Sequence, residues 1–237
     1  MSRNWKLAAG GLVAAAGLAV PASASAAITA SPFQACYAAG TSGGVASIPV
    51  SLSGGTPGDL WQIVASYPNS SSGSAGSTDG DDAPFDGNGD ASGTLTNIFP
   101  DGDPAGPIKG RTVDVSVEDF PQDDSAPTTT PVGSFLVTNT ALDVNFGTSN
   151  PKAERAVTVS GTQFAGKQVY GFITNKAGTK VLRTFHLGKG DVCGYTTHKE
   201  IVAPSDYKTG VYRLFVVAGD KLVKSAALSS EFQVYKF

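Results

Sequence analysis

The chain has 237 residues, 41% of them hydrophobic and 16% charged, with 29 glycines, 14 prolines and a formal net charge of −3. Valine, isoleucine, leucine and aromatic residues recur at short intervals, which excludes a disordered chain, while the glycine and proline content points to many turns. Beyond residue 27 no stretch keeps apolar residues at helical spacing over three turns, so a helical protein is excluded as well.

At the start, Arg3 and Lys6 precede an almost uninterrupted small and apolar run from Leu7 to Val20. That run is too short to anchor a mature protein across a bilayer. After Pro21, the segment Ala22-Ser23-Ala24-Ser25-Ala26 offers two overlapping A-x-A sites, so residues 1–26 read as a signal peptide cleaved after Ala26. No cysteine stands at the cleavage site to accept a lipid, and Arg3 lies between Ser2 and Asn4, so there is no twin arginine. No later segment resembles a membrane span. The expectation is an exported, soluble mature chain, secreted and retained at a cell surface only through a partner.

Apolar and polar residues then alternate between turns rich in Gly, Pro and Asn, predicting strands over 33–37, 46–53, 60–67, 93–99, 111–118 and 134–140. A second set is predicted over 142–146, 155–160, 168–175, 180–187, 195–202, 210–218 and 231–237. Many short strands at this spacing indicate a sandwich or barrel. The two sets echo each other: Val50-Ser51-Leu52-Ser53-Gly54 matches Val157-Thr158-Val159-Ser160-Gly161, and Ser134-Phe135-Leu136-Val137 parallels Glu231-Phe232-Gln233-Val234. The chain therefore divides into residues 27–140 and 141–237, each one β-sandwich.

The run Val157-Thr158-Val159-Ser160-Gly161-Thr162-Gln163-Phe164, with Asp86-Gly87-Asn88-Gly89 before a strand and Pro204 followed by Gly210-Val211-Tyr212, resembles the tandem bacterial immunoglobulin-like modules of exported actinobacterial proteins. The resemblance implies two immunoglobulin-like β-sandwiches used for spacing or binding outside the cell, and it brings no catalytic residues. The Ser/Gly-rich insert at 69–80 departs from the pattern.

Cys36 and Cys193 are the only two cysteines, and an exported chain with an even count favours a disulfide over free thiols. In an immunoglobulin-like strand order both fall near the junction of the two modules, so an interdomain bridge is expected; the alternative is a pair of buried, unpaired thiols.

Asp86, Asn88 and Asp90 have the alternating oxygen ligands with which calcium loops begin, making calcium the one cofactor to consider. Against it, Ala91 stands where a calcium loop needs glycine and Asn97 where it needs glutamate, so a hairpin turn explains the same residues. Residues 27–140 carry thirteen acids and two bases, about −11, while 141–237 carry thirteen bases and seven acids, about +6. Lys176, Lys180, Arg183, Lys189, Lys199 and Lys208 are candidates for contact with an anionic envelope polymer; solvated strand faces, and attraction between the modules, are the competing explanations. Trp61 and Tyr67 are candidate ligand contacts, although Trp61 opens a strand that reads as core.

His186 alternates out of phase with the apolar set of its strand and is expected on a wet face. Neither zinc spacing nor a serine triad appears, there is no glycine-rich phosphate loop, and basic residues are not interleaved with aromatics as nucleic acid would require. The acids crowd into loops, where tuning by burial is not expected. The sequence thus points away from an enzyme and toward a binding or adhesion protein that recognises an envelope polymer or protein, with a structural spacer or accessory subunit as the alternative.

Overall fold

In the computed structural model the described residues are 27–39, 45, 47–68, 74–77, 83–96, 98, 106–123, 125–146, 153–203 and 206–235, those of 74–77 by their backbone alone. The expected signal peptide lies outside them, as do 69–73 and 78–82 of the acidic, glycine-rich stretch.

The protein is all-β. Among the described residues, eight strands form the first half: β1 (Thr29–Ala30), β2 (Cys36–Ala39), β3 (Ile48–Ser53), β4 (Leu60–Ser66), β5 (Ser74–Ser77), β6 (Ala91–Leu95), β7 (Arg111–Phe120) and β8 (Thr128–Asn139). They pair as a three-stranded sheet, β1-β3-β6, and a five-stranded sheet, β2-β8-β7-β4-β5. All pairs are antiparallel except β2 with β8. Alternation sets the faces: Ile48, Val50 and Leu52 point inward while Pro49, Ser51 and Ser53 face solvent. Opposite them, Trp61, Ile63, Ala65, Val113, Val115, Val117, Phe135 and Val137 complete a single core between the two sheets. Each Val, Ile, Leu and Phe among them contributes roughly 1.5–3 kcal/mol on full burial.

Among the described residues, seven strands form the second half: β9 (Ala141–Val144), β10 (Arg155–Ser160), β11 (Gln168–Asn175), β12 (Val181–Lys189), β13 (Thr196–Glu200), β14 (Gly210–Ala218) and β15 (Leu228–Val234). A three-stranded sheet, β13-β10-β9, faces a four-stranded one, β12-β11-β14-β15. Val157, Val159, Ile173, Leu187, Leu214, Val216 and Phe232 fill the space between them. In both halves the first, second and fifth strand positions make one sheet and the rest make the other, an immunoglobulin-like plan in which the fourth strand pairs with the third. In the first half the opening strand is split, β1 joining one sheet and β2 the other.

Several boundaries differ from the sequence-based expectation. β1 was not expected, being only two residues long, and β5 falls inside the Ser/Gly insert, where composition hides strand pairing. β8 begins at Thr128 and not near 134, because the β-branched Thr128-Thr129-Thr130 run continues the ladder despite Pro131. The register passes from Val115 opposite Gly133 to Ser116 opposite Pro131, so Val132 is an extra residue and the bulge absorbs the proline. In the second half, a further apolar cluster of Phe172, Phe215 and Val217 lies on the outward face of the four-stranded sheet, where Leu222 and Ala227 of the β14–β15 connection pack over it.

The halves meet at a short, braced junction. Only Thr140 separates β8 from β9. Cys36 and Cys193 form a disulfide with Cα atoms 5.4 Å apart and a sequence separation of 157, the interdomain bridge expected from the chain order. Beside it, the Ser160 hydroxyl donates to the Asn139 carbonyl at 2.8 Å and to its Oδ1 at 2.7 Å. Asn139 Nδ2 donates to the Gly106 carbonyl at 2.8 Å, and Ile108 N–H donates to Asn139 Oδ1 at 3.1 Å. Asp191 Oδ1 accepts the N–H groups of Cys193 and Tyr195, each at 2.9 Å, and so fixes the loop that carries Cys193.

Candidate functional site

Three connections of the first half gather at the pole remote from the junction: 54–59 between β3 and β4, 83–90 before β6, and 121–123 with 125–127 between β7 and β8. The register places them there, since Trp61 and Thr128 both pair with Asp119, at the opposite end of the sheet from Asn139. The connections are zipped together by backbone bonds. Gly55 N–H donates to Gly89 O at 3.0 Å, Gly58 N–H to Phe85 O at 2.9 Å, and Phe85 N–H to Asp59 O at 3.0 Å. Phe85, 2% exposed, seats its ring 6.2 Å from that of Trp61. Gly89 has φ of +79°, and a Cβ there would sit 2.3 Å from the Gly55 carbonyl oxygen, so both the backbone and the close approach demand glycine.

Alongside this pole an open trough of about 720 Å³ runs beside the three-stranded sheet. Its polar lining is Thr29, Ser31, Ser51, Ser53, Ser92 and the carboxylates Asp86 and Asp90; Trp61 and Leu52 contribute its apolar part. Cross-strand pairing aligns these hydroxyls: Thr29 stands opposite Ser53, and Ser51 opposite Ser92. Thr29 Oγ1 and Ser53 Oγ are 3.0 Å apart. The Trp61 indole Nε1 is buried and has no hydrogen-bond partner. An unmet buried donor costs on the order of 1–3 kcal/mol. The trough was hidden from the sequence because its walls come from segments about sixty residues apart.

Two carboxylates lie beneath the same loops. Asp59 and Asp119 are 8% and 9% exposed, and Asp119 is the cross-strand partner of Trp61. Asp59 Oδ1 accepts the Gln122 N–H at 3.2 Å, while Asp119 Oδ1 has no partner. Burial, and secondarily the charge of Asp59, raise the Asp119 carboxyl above its ordinary range. The expectation that the acids of the first half all remain in solvated loops is therefore wrong for this pair. A signal for Asp119 was present, since it continues the inward series Val113, Val115, Val117.

The suggested calcium ligands serve the turn. Asp86 Oδ1 accepts the N–H groups of Asn88 at 2.8 Å and Asp90 at 2.9 Å. These backbone bonds, that from Asp90 first, hold the Asp86 carboxyl below its ordinary range. Among the described residues no group of three or more potential metal ligands converges, and Asp86, Asn88 and Asp90 form a hairpin turn. Asp79, Asp81 and Asp82 lie outside the described residues.

The two aromatic candidates do not form one contact surface. Trp61 is 2% exposed and belongs to the core at the far pole, while Tyr67 follows the other end of β4 and packs half-buried against the same core. The basic candidates are dispersed as well. Lys176, Lys180 and Lys208 are exposed near the end of the second half where β11 gives way to β12 and β14 begins. Lys189 pairs with Gln168 at the opposite end of β11, and Lys199 lies on the other sheet. Arg183 is engaged, donating to the Ile201 carbonyl at 2.5 Å and to Glu200 Oε1 at 2.6 Å, a clamp between β12 and the end of β13. His186 is exposed, as its phase indicated, with Nε2 2.7 Å from Gln168 Oε1 and its ring 4.9 Å from that of Tyr170. Among the described residues no helix is long and apolar enough to cross a membrane.

No family model matches the chain, and no curated relative matches it. Among solved structures, the human OSCAR ligand-binding domain is similar at 13% identity over 88% of this chain and 97% of that one, with a TM-score of 0.27. A red sea bream transglutaminase is similar at 13% identity over 89% of this chain and 31% of that one, with a TM-score of 0.30. Superpositions this loose assign no function, which rests on the geometry above.

Proposed function

We propose that the chain is an exported, non-catalytic binding or adhesion protein of the cell envelope, related to tandem bacterial immunoglobulin-like modules, that grips a polymer or protein partner through the far pole of its first sandwich. The observation that carries this reading is the trough beside that pole, where five hydroxyls and two carboxylates line a rigid sheet next to the buried Trp61. Ligand sites favour concave places with a few converging polar groups, and loops held by a sandwich are a common position for them. The Cys36–Cys193 bridge and the signal-peptide pattern of residues 1–26 both suit an oxidising compartment.

The braced junction favours a second reading, a structural spacer without a ligand of its own, because a disulfide between the sandwiches fixes their relative angle whether or not anything binds. Retention of the purified, oxidised chain on envelope fractions separates the two. Saturable retention that is competed by soluble envelope polymer supports the first reading, and its absence over a wide concentration range leaves the spacer.

A further inference from the structure

We propose that Asp59 and Asp119 act as a proton-operated latch on the far pole of the first sandwich: one proton bound by the pair lets the three connections close over it, and loss of that proton loosens them. The device goes beyond the binding reading and does not depend on it.

Asp59 is the hub of the pole. Its N–H donates to the Thr56 carbonyl at 3.1 Å within the first connection, and its own carbonyl accepts the Phe85 N–H of the second at 3.0 Å. Its Oδ1 accepts the Gln122 N–H of the third at 3.2 Å, and the Gln122 side-chain amide donates to the Gly58 carbonyl. All three connections therefore hang on one residue. Asp119 stands beneath them on the inward face of β7, with Trp61 opposite it on β4 and Thr128 opposite it on β8. It is 9% exposed, and its Oδ1 is buried without a donor.

No base answers this pair. The other charged side chains on the described elements packed around it are Asp86 and Asp90 on 83–90, Asp123 after β7, and Asp114 and Glu118 on the outward face of β7; β1, β3, β4, β6 and β8 carry none. Asp86 and Asp123 accept backbone N–H groups of their own turns. The one base on β7 is Arg111, eight residues along the strand and so roughly 27 Å away. Two buried anions side by side repel in surroundings that screen them poorly, and Asp119 Oδ1 has no hydrogen bond to replace its lost hydration. A single proton relieves both costs. Burial first, and the charge of Asp59 second, hold the Asp119 carboxyl above its ordinary range, so it keeps its proton to higher pH than an exposed aspartate does.

The surroundings fit a proton and not a metal ion. Calcium takes about six to eight oxygens. Among the described residues no three potential ligand side chains converge, and the Thr56, Gly58 and Asp59 carbonyls already accept hydrogen bonds. Because the closed pole holds the proton more tightly than the open one, closure is strongest in acid and weakens as pH rises through the raised value. Each pKa unit between the two states changes the closing equilibrium about tenfold. A partner gripped by these connections would meet a firmer pole in acid than at neutral pH.

The test is amide hydrogen exchange, resolved by residue with NMR, of the oxidised full-length chain from pH 4 to pH 8, each rate being divided by its intrinsic value at that pH. Protection of the Gly55, Gly58, Phe85 and Gln122 N–H groups is expected to fall at least about tenfold across this range. Protection in β10, β11 and β14 of the second sandwich should change by less than about twofold. In Asp119→Asn the four groups should keep their acid-level protection at pH 8. Asp59→Asn retains an acceptor for Gln122 but not the charge, and should move the fall to lower pH or reduce it. Asp123→Asn, at an exposed acid of the same connection, should reproduce the wild-type profile. Protection that is flat with pH, a fall that persists unchanged in Asp119→Asn, a fall of equal size in the second sandwich, or protection restored at pH 8 by millimolar calcium would each overturn the proposal. If Asp119→Asn does not fold, Asp59→Asn decides alone, and a fall of wild-type size at the wild-type pH overturns it.

Discussion

Removing the bridge between the sandwiches has a consequence that can be worked from the fold. The two cores share no strand, a single residue links β8 to β9, and the Cys36–Cys193 bond closes a loop spanning 157 positions. In the chain-entropy picture, closing a loop of this length lowers the stability of the unfolded state by about 5 kcal/mol, an upper figure for a chain that unfolds as one unit. The Asn139 and Ser160 hydrogen bonds that remain at the junction contribute about 1 kcal/mol each. They are too few to couple two separate cores. The Cys36→Ala/Cys193→Ala chain is therefore expected to lose up to about 5 kcal/mol in urea unfolding, and its single calorimetric transition to split into two, one for each sandwich. Intact mass first establishes that the wild-type chain carries the bond, by a gain of about two mass units on reduction. Identical urea midpoints and one unchanged transition in wild-type and double-alanine chains would refute this reasoning, because the bridge would then constrain nothing.

Asp119 predicts an inverted response to pH. Its carboxyl is raised by burial first and by Asp59 second, so its contribution to stability is full below the ordinary carboxylate range and declines as pH rises through the raised value. Asp119→Asn should raise the unfolding midpoint at pH 7 more than at pH 4, and thermal melts across that range that stay parallel to wild type would contradict it. Gly89→Ala should cost at least about 1–2 kcal/mol from its left-handed backbone alone, with more from the approach to Gly55, measured as a lower urea midpoint. Asn139→Ala removes the shared acceptor of Ser160 and Ile108, and is expected to increase amide hydrogen exchange at 106–110 and around Ser160 while sparing the pole of the first sandwich.

What the sequence revealed and what it withheld follow from the range of the forces involved. β3 and β10 were legible because alternation is a local property, and Val50-Ser51-Leu52-Ser53 writes its two faces directly into the chain. The disulfide was legible because the sequence holds two cysteines, which leave one pairing. β5 was not, since Ser74-Ala75-Gly76-Ser77 has no large apolar residue in its sequence to mark the strand that pairs with β4. Asp86, Asn88 and Asp90 offered two meanings, and the bonds from the Asn88 and Asp90 N–H groups to Asp86 show the turn among them. The trough draws on Thr29, Ser53, Trp61 and Asp90, whose adjacency is a product of sheet register. Serines on an outward strand face give no local sign that they will line a trough.

Hydrogen–deuterium exchange of the oxidised full chain, with and without purified envelope polysaccharide, tests most directly whether recognition occurs at this trough. Protection should concentrate in β1, β3, the start of β6 and residues 83–90, with β10 to β15 unchanged. Protection confined to the second sandwich, or none at saturating polymer, would contradict the account.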